Sequence, residues 1–194
     1  MPGFRGKQLA VCILCGGLIM ACAGCGSQHT VTGLGESTGR LSGLEPAEEL
    51  PADFKEGYNS FSVSLLREEY EAEEKEDVLL SPASAAISTG LVLEGAAGCT
   101  QQQLLALLGA ENGDRYADGC RALQSVLTGN PRGYFQLANS MWVRNELEAA
   151  VLPDFIERNE THYGALLKAA PFDDTLIPLL NTWVSENTGG RIDK

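Results

Sequence analysis

The stretch Leu137-Ala138-Asn139-Ser140-Met141-Trp142-Val143 decides how this chain is read. Over residues 134–143, Phe135, Leu137, Met141 and Val143 alternate on one face. Tyr134, Gln136, Ala138, Ser140 and Trp142 fall on the other, which is the period of a β-strand. Asn139 sits on the apolar face. A buried amide has to find partners for its polar atoms, so Asn139 is expected to tie the strand to a neighbour rather than to do chemistry.

Outward from this strand the pattern is mostly helical. Upstream, Phe54, Tyr58, Phe61, Leu65 and Leu66 recur at helical spacing and predict a long amphipathic helix over 52–74. Val78-Leu79-Leu80 predicts a short strand. Ser81-Pro82 places a capping residue before a proline at the first helical position, opening a helix from Ala83 to Glu94 that Gly95 and Gly98 stop. Thr100-Gln101-Gln102-Gln103 has the form of a capping box, with Leu104, Leu105, Leu107 and Leu108 as the buried stripe and Gly109 as the stop. Residues 114–128 carry Tyr116, Cys120, Leu123 and Leu127 at spacings of four, three and four. Downstream, Pro153 opens a helix to Tyr163, and Leu166 to Phe172 is extended. Thr175 caps a last helix with Ile177, Leu180, Trp183 and Val184, which fades at Gly189-Gly190. No tandem repeat is present.

The N-terminus reads as an address. Residues 1–8 hold Arg5 and Lys7 and no acid; Leu9 to Ala21 is an apolar run of 13 residues, too short to span a bilayer but fitting the core of a signal peptide. Ala21-Cys22-Ala23-Gly24-Cys25 follows. This resembles a bacterial lipoprotein signal, in which a cysteine after small residues is lipidated and becomes the new N-terminus. Cys22, preceded by Leu18-Ile19-Met20-Ala21, is the favoured site and Cys25 the alternative. The export segment is thus 1–21, and the body is exported, lipid-anchored at the cell surface or extracellular. Cys12, Cys15, Cys22 and Cys25 all lie in this address, which argues against reading their spacings as a zinc site. Only Cys99 and Cys120 lie in the body, and their spacing leaves open whether they pair.

Residues 22–50 are acidic and rich in Gly, Ser, Thr and Glu, and predict a flexible tether. The folded body is expected over 51–194. The 194 residues carry a formal charge of −12, with 44% apolar and 21% charged residues, a globular composition. Of that charge, −9 falls between residues 31 and 80, where 13 acids face 4 bases. The acid run Glu68 to Asp77 reads as a solvated helix end. Such acidity argues against nucleic-acid binding, which needs basic patches to neutralise phosphates.

Four stretches, in order, resemble the N-terminal half of a serpin. Val78-Leu79-Leu80-Ser81-Pro82-Ala83-Ser84 is similar to the family's "SP-x-S" opening of helix B. Gly95-Ala96-Ala97-Gly98-Cys99-Thr100 is similar to the "GA-x-G-x-T" start of helix C. Leu137 to Val143 is similar to its "ANA" strand, with Ser140 for the usual Ala. Asn181, Trp183, Val184, Thr188, Gly190 and Ile192 match "N-x-WV-x-x-x-T-x-G-x-I" on helix F. The resemblance runs from about residue 50 to 194. It implies an α+β fold, with helices A to F and the first strands of sheet A. It also implies a protease inhibitor that traps its target by inserting a cleaved C-terminal reactive loop into that sheet. Ser81, Ser84 and Asn139 match polar residues of the family's "shutter" beneath sheet A, which are switch residues and not catalytic ones.

The resemblance also implies that the chain stops at helix F, with the hinge, the reactive loop and the C-terminal half absent. The partner would be a serine or cysteine protease that needs the missing half, and these residues alone are expected to be inactive. Exposed strand edges and apolar surface are expected hazards. The alternative is a non-inhibitory surface lipoprotein that binds ligands on a serpin-like scaffold. Enzymatic chemistry finds no support. The two histidines, His29 and His162, have no nucleophile motif beside them, and no G-x-S-x-G, H-E-x-x-H or P-loop occurs. No cofactor or metal is implied. Membrane contact is expected only through the N-terminal lipid. Arg115, Arg121 and Arg132 against Asp114 and Asp118 make no strong heparin patch. Asn159-Glu160-Thr161 matches a glycosylation sequon and is read as chance.

Overall fold

The computed structural model describes residues 30–41, 49–72, 77–129 and 135–192. The signal segment, including Cys22 and Cys25, and Arg132 lie outside the described residues.

Among the described residues six helices surround a small mixed sheet. Helix α1 (Ala52–Ala72) is followed by α2 (Pro82–Leu93), α3 (Gly98–Leu108) and α4 (Gly113–Thr128). Then come β2 (Ser140–Arg144), a 3-10 turn (Asn145–Ala150), α5 (Pro153–Tyr163), β3 (Leu166–Ala170) and α6 (Leu176–Asn187). A two-residue strand near the N-terminus, β1 (Thr32–Gly33), completes the sheet in the order β1-β3-β2. β2 and β3 run parallel with Ser140 opposite Leu166 and Arg144 opposite Ala170, and α5 is the crossover that parallel strands require. β1 pairs antiparallel on the far side of β3.

The core forms where α1, α2 and α4 meet, around Phe54, Phe61, Ile87, Leu91, Tyr116 and Leu123, and it extends to Tyr163 and Leu167. Burying a side chain such as Ile87 stabilises by about 1.5–3 kcal/mol. Close approach is bought with glycine: a Cβ on Gly57 would lie 2.5 Å from the carbonyl oxygen of Gly109, where α1 crosses the end of α3.

Several expectations need correction. Residues 78–80 form no strand: they pair with no described strand, and Leu79 is 72% exposed while Val78 and Leu80 are half-buried. The capping box at Thr100 is not used. Helix α3 starts at Gly98, behind an Ala97 cap with no side-chain bond, so Thr100 lies inside the first turn. Gly98 therefore begins α3 instead of stopping α2. Of the leucine stripe only Leu108 is buried, while Leu107 is 57% exposed. β2 starts at Ser140 rather than 134, because its partner β3 begins only at Leu166; Phe135 is 46% exposed as a result. Thr175 does not cap α6 with its side chain. Asp173 does the local bonding, accepting from the backbone N–H of Thr175 (2.9 Å) and from its hydroxyl (2.6 Å). Finally, residues 30–41, expected as flexible tether, are built into the fold through β1.

Candidate functional site: the Asn139 junction

Asn139 immediately precedes β2 and is half-buried. Its Nδ2 donates to the carbonyl of Tyr163 at 2.7 Å and to Oε1 of Gln124 at 3.2 Å. Its backbone N–H donates to the carbonyl of Gly39 at 2.8 Å, and its own carbonyl accepts from Leu166 N–H at 2.9 Å. One residue therefore joins β2, α4, the end of α5, the start of β3 and the N-terminal segment. The neighbours are positioned by ordinary local rules. Gly164 terminates α5 with φ +61°, the left-handed conformation glycine adopts without strain, and this turns the Tyr163 carbonyl towards Asn139. Gln124 is 3% exposed on α4, and its Nε2 donates to the carbonyls of His162 (3.0 Å) and Cys120 (3.3 Å). The amide of Gln124 is held in one orientation by these two carbonyls, so its oxygen faces Asn139.

Ser81 and Ser84 form a separate pair. Their hydroxyls are 2.8 Å apart, and Ser81 Oγ accepts from the Ser84 backbone N–H at 3.3 Å, making the cap of α2. Among the described residues no hydrogen bond connects this pair to Asn139. The motif residues of α6 and its exit divide by role. Trp183 is 8% exposed and packs against Gly39, and its Nε1 finds no hydrogen-bond partner among the described residues. Thr188 closes the helix end, its Oγ1 accepting from Ile192 N–H at 3.2 Å. Gly190 adopts φ +73° in the exposed turn beyond, and Asn181 is half-buried. Thr100 is exposed.

A second polar cluster links α2, α4 and α5. The Glu94 carboxylate, 4% exposed, accepts from Arg158 Nε and from the Tyr163 hydroxyl at 3.1 Å, while Arg158 also reaches Asp114 at 2.8 Å. Burial pushes the Cys120 thiol up to about 12 and raises the phenols of Tyr116 and Tyr163, so none of these groups ionises near neutral pH. Cys99 and Cys120 are free thiols, the first exposed and the second buried. His162 stands 3.5 Å from Asp118 across its Nδ1, with no nucleophile in the contact. The sequon asparagine, Asn159, is fully buried and donates to the Phe155 carbonyl, so it offers no acceptor nitrogen at the folded surface. Of the cations on α4, Arg115 pairs with Asp53 at 3.1 Å and Arg121 bonds the carbonyl of Thr161. Among the described residues no cluster of three ligand-type side chains is placed to hold a metal, and no helix is long and apolar enough to cross a membrane.

Sequence reasoning found Asn139 but missed Gln124, Gly39 and the Glu94–Arg158 pair. Gln124 was detectable, lying at i+4 and i+8 from Cys120 and Tyr116 on one helix face. Gly39 and Arg158 gave no local signal, because their partners are distant in the chain.

Comparison with known proteins places these features. The family described as Serpin (serine protease inhibitor) matches residues 56–194. Serpin B8 of Bos taurus is 32% identical over 143 residues, covering 72% of this chain and 38% of the relative. Leukocyte elastase inhibitor of Xenopus tropicalis is 31% identical over 137 residues, covering 68% of this chain and 36% of the relative. Among solved structures, the thermophilic serpin tengpin in its latent state superposes with a TM-score of 0.66 at 25% identity, covering 76% of this chain and 40% of that one. The chain thus spans under two fifths of the length of the two curated relatives. The helices around a sheet pinned at Asn139, together with the match over residues 56–194, show that this chain belongs to the serpin family.

Proposed function

We propose that these residues form the scaffold and switch region of a serpin-type inhibitor of serine or cysteine proteases, and that the bait loop is not among them. The observation that carries this is the family match over 56–194, on a chain that spans only about two fifths of its relatives' length. Ser81, Ser84 and Asn139 serve as polar switch residues in this proposal. Asn139 supports it most directly, since its hydrogen bonds hold β2 to α4 and α5 and are replaceable if the sheet rearranges. The protein is exported and anchored by a lipid on Cys22. Partnered Arg115 and Arg121 support the absence of a heparin-type activating face.

Two experiments test this. The 194-residue chain is mixed with a panel of serine and cysteine proteases; the expected result is no SDS-stable complex, and such a complex would refute the proposed division of labour. For the anchor, the chain is expressed in a bacterial host with labelled fatty acid. Cys22→Ala should lose the label and Cys25→Ala should keep it; the reverse pattern moves the lipid to Cys25.

A further inference from the structure

Residues 30–41 cross the molecule through a series of specific contacts. The Thr30 carbonyl accepts from Asn145 Nδ2 at 3.0 Å. Thr32 and Gly33 pair with Ala169 and Lys168 on the outer edge of β3, and Leu34 N–H continues the ladder to the Leu167 carbonyl at 3.0 Å. The Leu34 side chain packs on the core. Ser37 then makes two bonds at the end of α5: its backbone N–H donates to Glu160 Oε1 at 2.6 Å, and its hydroxyl donates to the Gly164 carbonyl at 2.8 Å. The same hydroxyl accepts from Gly39 N–H at 3.1 Å. Gly39 presents its carbonyl to the Asn139 backbone N–H, and Arg40 Nε donates to Asn187 Oδ1 on α6 at 3.0 Å.

The position of Gly39 is demanding. Its φ of +93° lies in the left-handed region, and a Cβ there would sit 3.1 Å from Trp183 Cζ2 and 3.2 Å from the Asn139 carbonyl oxygen. The backbone at residue 39 is wedged between the α6 tryptophan and the residue that pins the sheet. Sheet edge, α5 cap, Asn139 and α6 are otherwise held by separate contacts. Residues 30–41 touch all four.

We propose that residues 30–41 act as an intramolecular strap that covers the β3 edge and clamps Asn139 against α6, so that loosening the strap loosens the Asn139 junction. The strap is a conformational device. It uses a segment upstream of the family-matched residues and stands whether or not the parent protein inhibits a protease. An edge strand of two residues is weakly held by itself; the Ser37 and Gly39 contacts keep it in place.

Backbone amide hydrogen exchange on the 194-residue chain tests the strap, with Trp183 emission in a Trp142→Phe background reporting its detachment. Gly39→Val places a branched side chain into the Trp183 contact and detaches the strap. The expected result is a red-shifted Trp183 emission, together with exchange at Asn139 and Leu166–Ala170 accelerated by about tenfold or more, while Ala86–Leu91 in α2 are unchanged. Ser37→Ala, a milder change that keeps the fold, should give a smaller acceleration at the same amides. Wild-type exchange at Asn139 and β3 alongside a red-shifted Trp183 would overturn the inference. So would equal acceleration in α2, which is the mark of global destabilisation.

Discussion

Asn139 donates its two amide hydrogens to the Tyr163 carbonyl and to Gln124 Oε1. Asn139→Ala should therefore cost about 1–3 kcal/mol, the penalty for stranding acceptors on buried residues, read as a lower urea midpoint at unchanged slope. Asn139→Asp should cost more, because a carboxylate would face a carbonyl oxygen. The two body cysteines make a second contrast at this scale. With its thiol pushed up to about 12 by burial, Cys120 should resist iodoacetamide at pH 8 in the folded chain while the exposed Cys99 reacts; peptide mapping by mass spectrometry separates the two. Equal labelling would show that Cys120 is not packed as described. Asn139 was legible from sequence because a polar residue interrupts an alternating apolar face. What it bonds was not, since Gln124, Tyr163 and Gly39 come from three other elements.

Elements meet closely where a side chain is missing. A Cβ on Gly90 of α2 would lie 2.7 Å from Tyr163 Cε1 and 2.8 Å from its hydroxyl, on a ring that is fully buried and bonded to Glu94. Gly90→Ala should destabilise by about 1–3 kcal/mol through overpacking, even though alanine is the better helix former. Thermal unfolding of the two chains decides it; a more stable variant would mean that α2 and α5 are looser than described. All six helices were legible to within a few residues, because each has an apolar stripe with punctuation by Pro or Gly. The helix start at Thr100 was misread because hydroxyl residues occur inside first turns as well as at caps; Thr175 does stand at the cap position of α6, but its side chain makes no capping bond. Residues 78–80 were misread for a different reason. β-branched and aliphatic composition marks a segment that suits a strand, but pairing needs a neighbour that no local pattern reveals.

At the level of the whole molecule, alkaline pH should act through several buried groups at once. Burial raises the Cys120 thiol and the phenols of Tyr58, Tyr116 and Tyr163 above their ordinary values of 9.0 and 10.0. Below about pH 8 these groups are protonated in folded and unfolded chains alike, so no stability is lost there. Above that, the unfolded chain releases the thiol proton first and the phenolic protons next, while the folded chain keeps them. Stability should therefore fall with rising pH from about 9 through about 12. Urea midpoints measured between pH 8 and 11 should drop accordingly, and a flat profile would contradict the burial of these groups. The exposed side chains Val63, Leu66 and Tyr70 lie along one side of α1 at spacings of three and four. Light scattering should show concentration-dependent association that Val63→Lys with Leu66→Glu reduces.

Docking of residues 30–41 also fixes a length. If the lipid is on Cys22 as proposed, seven residues separate the anchor from Thr30, the first described residue, and the eight Cα-to-Cα steps reach at most about 28 Å. A spacer free all the way to residue 50 would reach several times farther. The body would hang on a short leash, with the Thr30 end of its sheet turned towards the lipid headgroups.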